Sequence, residues 1–222
     1  MAILNGLTTN TTKNLQLDAG IIATGNLDIN AWDGSPSSIP SFKALGATKG
    51  ATTLSIIPEL RNIFDGIDGC RGYYKGGTVI DNWDITLKAT VSELTVENIK
   101  KALLITTATA PSGGASRDNY DILTPKLEIS ETTDYIDKLY WLGTMAGQSK
   151  PIIIELYNVL NMSGFTLGAE DKATGSIEVE FRAHIELKSP KVVPVKIYLP
   201  KASESGAELA HVELDEIMRD KK

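Results

Sequence analysis

The chain has 222 residues, 42% of them hydrophobic, enough to bury a substantial core in one or two domains. Its 28 acidic residues outnumber 22 basic ones, and the formal charge of -6 repels phosphate backbones, which argues against tight binding to duplex DNA. Cys70 is the single cysteine, so no internal disulfide forms, and no apolar run approaches the ~20 residues that cross a bilayer.

The first twenty residues, MAILNGLTTNTTKNLQLDAG, lack a basic start followed by an apolar stretch. They predict no signal peptide and, with the lone cysteine, a chain that folds in a reducing cytoplasm. Asp33 to Pro40 (DGSPSSIP) is a loop by its turn formers. Thr52 to Ile57 reads as a short strand. Asp65 to Gly77 carries five glycines around Cys70, Tyr73 and Tyr74, as in a hairpin or loop that needs positive φ. From Trp83 to Val91 apolar and polar residues alternate, the signature of a strand with one dry and one wet face.

One helix is predicted over about 95–104. Thr95 is its N-cap, Glu97 lies in the first turn, and Val96, Ile99, Ala102 and Leu103 form an apolar stripe. A second loop runs from Ala110 to Asn119, and Lys126 to Ile129 reads as a short β run. Ile152 to Tyr157 is apolar on both faces at its start, as in a strand covered on both sides. The longest alternation is Ser176 to Leu187 (SIEVEFRAHIEL). Ile177, Val179, Phe181, Ala183, Ile185 and Leu187 share one face; Glu178, Glu180, Arg182, His184 and Glu186 share the other. Twelve strand residues span roughly 40 Å, about twice a common strand, and need a large sheet to sit in. Val193 to Leu199 is a third alternating strand, and the charged stretch 201–222 reads as a tail, a weak amphipathic helix or a segment ordered by a neighbour.

Sites of chemistry are hard to find. The two histidines, His184 and His211, form no H-x-x-x-H pair, and Cys70 has no C-x-x-C partner, so no zinc site is indicated. The glycine-rich segment lacks the G-x-x-x-x-G-K-[ST] order, and Asp65 and Asp68 have the wrong spacing for a calcium loop. No carboxylate pair stands out. The expectation is a mainly β protein that is not an enzyme and takes no cofactor.

From Leu45 to Leu103 the chain reads LGATKGATTLSIIPELRNIFDGIDGCRGYYKGGTVIDNWDITLKATVSELTVENIKKAL. LGATKG, a strand ending in PELR, a glycine-rich loop and WDITLKATVSELTVENIKKAL follow in order. With LQLDAG upstream, and EVEFRAH then PVKIYLP downstream, this order resembles the tail tube (major tail) proteins of long-tailed bacteriophages over about Leu15 to Pro200. The resemblance implies a β-sandwich or barrel-like domain over 1–200 with an N-terminal arm and one flanking helix. It implies six copies in a ring, rings stacked into a tube, and a bore through which DNA passes during ejection. Its partners would be further copies, the tape measure, tail tip and terminator proteins, with no membrane insertion. The place would be the virion tail, assembled in the bacterial host cytoplasm.

On that resemblance, Glu178, Glu180, Arg182, His184 and Glu186 are candidates to face the bore, with Asp84 and Lys88 from the neighbouring strand. Alternation alone does not distinguish water in a bore from water outside a sandwich. Arg61, Asp65, Asp68, Arg71, Tyr73, Tyr74 and Lys75 are candidates for contacts between rings. Two other readings are the tube of a phage-derived contractile bacteriocin or injection device, and a monomeric β-sandwich binding module. The module predicts exposed aromatic platforms, yet only 6% of residues are aromatic.

Overall fold

A computed structural model describes residues 11, 15–16, 18, 20–29, 43–103, 105–108, 123–146, 148, 150–168 and 174–200. The predicted loops at 33–40 and 110–119, His211, residues 1–10 of the N-terminal arm and the tail 201–222 lie outside the described residues. The elements run β1 (Ile21–Thr24), β2 (Lys43–Ala44), β3 (Thr53–Asn62), β4 (Thr78–Val91), α1 (Val96–Leu103), β5 (Ile105–Ala108) and β6 (Leu123–Pro125). They continue β7 (Ile136–Gly143), β8 (Ile152–Asn161), β9 (Leu167–Gly168), β10 (Ser176–Ala183) and β11 (Val195–Tyr198). The fold is mainly β, as expected.

Nine strands form one antiparallel sheet in the order β2-β1-β7-β8-β10-β4-β3, with β11 beside β8 and β9 beside β10; β5 and β6 pair separately. The sheet folds over on itself. Ile22, Leu139, Trp141, Ile154 and Leu156 from one end of the strand order share a single core with Ile85, Leu87, Val179 and Phe181 from the other. Only a bent sheet brings these together. Two layers therefore enclose one apolar interior, and at ~25 cal/mol per Å² each buried Leu, Ile or Phe contributes about 1.5–3 kcal/mol.

The bend lies in β8. Residues 153–156 pair with β11, while Val159 to Asn161 pair with β10 on the same side of the strand. Between the two partners stands Asn158, a non-glycine residue with φ of 49°. Asparagine tolerates this left-handed conformation better than other side-chain-bearing residues. Its carbonyl accepts the His184 N–H at 3.1 Å, so the bend is fastened to the end of β10.

Helix α1 starts as predicted: the Asn98 N–H donates to Thr95 Oγ1 at 3.2 Å, an N-cap bond. Asn98, itself buried, donates from Nδ2 to the carbonyls of Leu45 and Glu93 and pins the helix to the chain on either side of β3 and β4.

Two expectations need correction, and one strand was not foreseen. The alternating run from Ser176 to Leu187 is a strand only to Ala183. Beyond it the chain turns, with the Ser189 N–H donating to Glu186 O at 2.9 Å, so Ile185 and Leu187 are exposed at 39% and 91% instead of packing inward. Lys126 to Ile129 is not a strand. Asp134 accepts from Lys126 Nζ and the Ser130 N–H, and this buried ion pair, with side chains 10% and 5% exposed, closes a local turn. Strand β7 went unpredicted. Its residues Leu139 to Gly143 are buried on both faces, so the alternation that marks a half-exposed strand is absent.

The Asn158 bend carries a direct test. Asn158→Gly should change stability by no more than about 0.5 kcal/mol, whereas Asn158→Val should cost about 1–3 kcal/mol by forcing a β-branched residue into left-handed φ. Urea unfolding followed by circular dichroism measures both; equal midpoints for the two variants would refute the bend's dependence on φ.

Candidate functional site

The β3–β4 hairpin is longer than the sheet that carries it. On its other edge β4 is paired with β10 only from Thr86 to Val91; from Thr78 to Ile85 its one ladder partner is β3. Ile85 is buried in the core and Trp83 packs against it, so the projecting part of this arm is Thr78 to Asn82, about 15 Å at ~3.3 Å per residue, before the tip is added. The register passes from Glu59 opposite Asn82 to Leu60 opposite Ile80, leaving Asp81 as an extra residue. Such a bulge bends and twists the arm. It also turns Asp81 to Arg61, whose Nε and Nη2 meet the carboxylate at 2.7 and 3.2 Å. The guanidinium's hydrogen bond holds the Asp81 carboxyl below its ordinary range.

The arm is ordered but uncovered. At the tip the Ile63 N–H bonds Gly77 O at 2.9 Å, and Phe64 meets Tyr74 edge-on at 5.7 Å. Gly77 is required there, because a Cβ would collide with the Phe64 ring. Yet Leu60, Ile80 and Ile57 are 60%, 53% and 55% exposed, and Tyr73 is 87% exposed. Arg61 thus belongs to the arm's stem. Asp65, Asp68, Arg71, Tyr73, Tyr74 and Lys75 all lie on the exposed tip.

The bore-facing candidates divide into two groups. Glu178, Glu180 and Arg182 on β10 stand opposite Thr90, Lys88 and Thr86 on β4, all on the face turned away from the core. Lys88 Nζ lies 3.1 Å from Glu180, and Arg182 Nε lies 3.2 Å from Asp84 without the alignment of a hydrogen bond. The face is therefore largely self-neutralised, with Glu178 in no ion pair among the described residues. His184 and Glu186 follow the end of the β10 ladder, and His184 lines a cleft with Asp84 and Arg182 of that face. His184 follows the end of β10, half-buried, with Nδ1 3.3 Å from Asn158 O and its ring edge-on to Tyr135 at 5.3 Å. Glu186 sits in the turn beyond.

Sequence reasoning passed over one cluster. Glu155 on β8 is 3% exposed, on the face of β7 and β8 opposite the main core. Its Oε1 accepts from Tyr140 at 3.1 Å and lies 3.3 Å from Lys138 Nζ; its Oε2 accepts from Tyr198 at 2.9 Å. Burial raises its pKa, but hydrogen bonds from Tyr157, Tyr198, Lys138 and Tyr140 outweigh this and hold it below the ordinary value. Desolvation, reinforced by the carboxylate, pushes Tyr140 and Tyr198 up to about 12. A carboxylate with both oxygens engaged ties β11 to β8 and β7. The signal was present: Glu155 is the lone charge in the run Ile152 to Tyr157, and a buried charge requires partners.

No protein-family model matches the chain, and no curated protein matches it. Among the described residues no group of three or more His, Cys, Asp or Glu could hold a metal ion, and no helix is long and apolar enough to cross a membrane.

Glu155 makes stability pH-dependent in a defined direction. Its folded pKa lies below the ordinary 4.5, so its contribution is present above that value and lost as pH falls through the depressed one. Glu155→Gln should cost about 2–4 kcal/mol at pH 7 and flatten the fall in stability between about pH 5 and 3. Urea midpoints across that range check both; a Gln variant that keeps the wild-type slope would remove Glu155 as the source.

Proposed function

We propose that this chain is a structural subunit that assembles with copies of itself into stacked rings, the tube of a phage tail, with a bore that conducts DNA. The observation that carries the reading is the ordered β3–β4 arm, which displays Leu60, Ile80 and Tyr73 to solvent. Large apolar side chains on a preorganised element lower the entropic cost of docking, and aromatic residues supply much of the energy of interfaces. Six copies per ring and the passage of DNA come from the resemblance to tail tube proteins.

Two further features support self-assembly. Among the described residues the outer edge of β3 has no partner strand, an edge that suits pairing with a neighbour. Pro58 interrupts it, which confines such pairing to the Thr53–Ile57 half. The β4–β10 face carries paired charges, not a cationic stripe. A bore lined this way neither grips phosphate strongly nor repels it strongly, as sliding requires.

The test is negative-stain electron microscopy with light scattering on concentrated protein. Six-fold rings or hollow tubes are the expected result; a monomer that persists even beside a seeding tail-tip complex would overturn the reading. Leu60→Asp with Ile80→Asp should abolish assembly, while Tm moves by no more than about 2–4 °C because both sites are exposed.

A further inference from the structure

Strand β10 ends at Ala183 while β3 and β4 run on, and a cleft opens at the step between them. The last ladder pair of β10 with β4 is Arg182 with Thr86, so Asp84 and Asn82 stand past it, with Glu59 opposite Asn82 across the hairpin. These four residues line the cleft together with His184, Trp83 and Ile185. Its volume is about 350 Å³, within the range of small-molecule sites. We propose that this cleft binds a neutral saccharide ring, free or at the end of a glycan.

The hydrogen-bonding groups that converge here are largely unspent. Among the described residues the side chains of Glu59 and Asn82 have no hydrogen bond or ion pair. The Arg182 guanidinium makes no hydrogen bond either, although Asp84 lies 3.2 Å from its Nε. His184 meets Asn158 O through Nδ1, which leaves Nε2 without a polar partner among the described residues. That pattern selects the ligand. Asp84 already compensates the charge of Arg182, and Glu59 adds a carboxylate with no cation beside it, so an anion is disfavoured. A cation would meet Arg182. What remains are the N–H donors of Arg182 and Asn82 beside the acceptor-only carboxylates of Glu59 and Asp84. A hydroxyl serves both, accepting from the first pair and donating to the second. Vicinal hydroxyls on a ring present such groups at fixed spacing. The ring's C–H groups would cover Trp83, which is partly buried against the core, and Ile185, which is 39% exposed. Every residue of the site comes from one subunit, so it goes beyond the self-assembly reading and does not depend on it.

The experiment is saturation-transfer NMR on the full chain with the methyl glycosides of glucose, galactose, mannose and N-acetylglucosamine, and with glycine and acetate as zwitterionic and anionic probes. Saturation should pass from the protein to the ring protons of at least one glycoside, and to neither glycine nor acetate. Glu59→Gln and Arg182→Lys should each weaken that binding about tenfold, the loss of roughly one charge-assisted hydrogen bond. Glu178→Gln, on the same face of β10 but outside the cleft, should leave it unchanged. Circular dichroism shows that each variant is folded. Transfer to glycine or acetate in place of the glycosides would overturn the saccharide as the ligand class. Binding that survives both Glu59→Gln and Arg182→Lys would overturn the cleft as its site, and no transfer to any glycoside would overturn the proposal outright. Rings or tubes seen by microscopy stand apart from all of these outcomes, so the two readings fail separately.

Discussion

Everything in this fold depends on one strand serving two layers. β8 is hydrogen-bonded to β7 along nearly its whole length, but on its other edge it exchanges β11 for β10 at Asn158. Without that exchange the sheet would be a flat nine-stranded ribbon with its apolar face in water. With it, the β1–β7 end closes over the β4–β10 end, and the interior of Leu139, Leu156, Leu87 and Phe181 becomes dry. The constraint is local in backbone terms, a single positive φ, and global in consequence.

The bend also explains why Glu155 is held so firmly. At the bend the sheet forks, and β11 is the branch with one neighbour and four residues. Four ladder positions are marginal support for an edge strand. The Tyr198 hydroxyl on Glu155, and Glu155 on Tyr140 and Lys138, add a second fastening that spans three strands. A buried ion pair is weak evidence for net stability, but here it fixes which strand lies beside β8 and in what register. The second apolar cluster, Leu27, Tyr140, Leu142 and Ile153, covers the same face, so the network is shielded from water on most sides.

Strands with one wet face were legible in the sequence because alternation is a direct consequence of the pleat. Trp83 to Val91 and Ser176 to Ala183 were read correctly for that reason. Strand β7 was not, since Leu139 to Gly143 faces protein on both sides and leaves no period to see. The end of β10 was misjudged for the opposite reason. The alternation continues through His184 to Leu187, but the backbone has already turned, because the Asn158 carbonyl takes the His184 N–H and holds the chain at the corner. Periodicity reports what a segment would do as a strand; only the rest of the sheet decides where the ladder stops. The projecting part of the arm was similarly hidden. Val79, Ile80, Asp81 and Asn82 break the two-residue period, and that break is the bulge itself.

The arm and the self-neutralised face are two answers to one physical problem. A strand pair that leaves the body needs something to satisfy its surfaces. Near the body the charges of the outward face are met internally, by Lys88 with Glu180 and Arg182 beside Asp84. Past the bulge Arg61 and Asp81 pair with each other, but Leu60, Ile80 and Tyr73 stand exposed among the described residues. Exposed pairs of this kind contribute at most about 1 kcal/mol each, whereas covering three large apolar side chains contributes several. On the self-assembly proposed above, the free energy for association is concentrated in the arm, and the charged face sets its surroundings. The proposal therefore requires that a neighbouring copy meet the apolar area of the projecting end before the compensated charge along the shaft, since only the former gains by being covered.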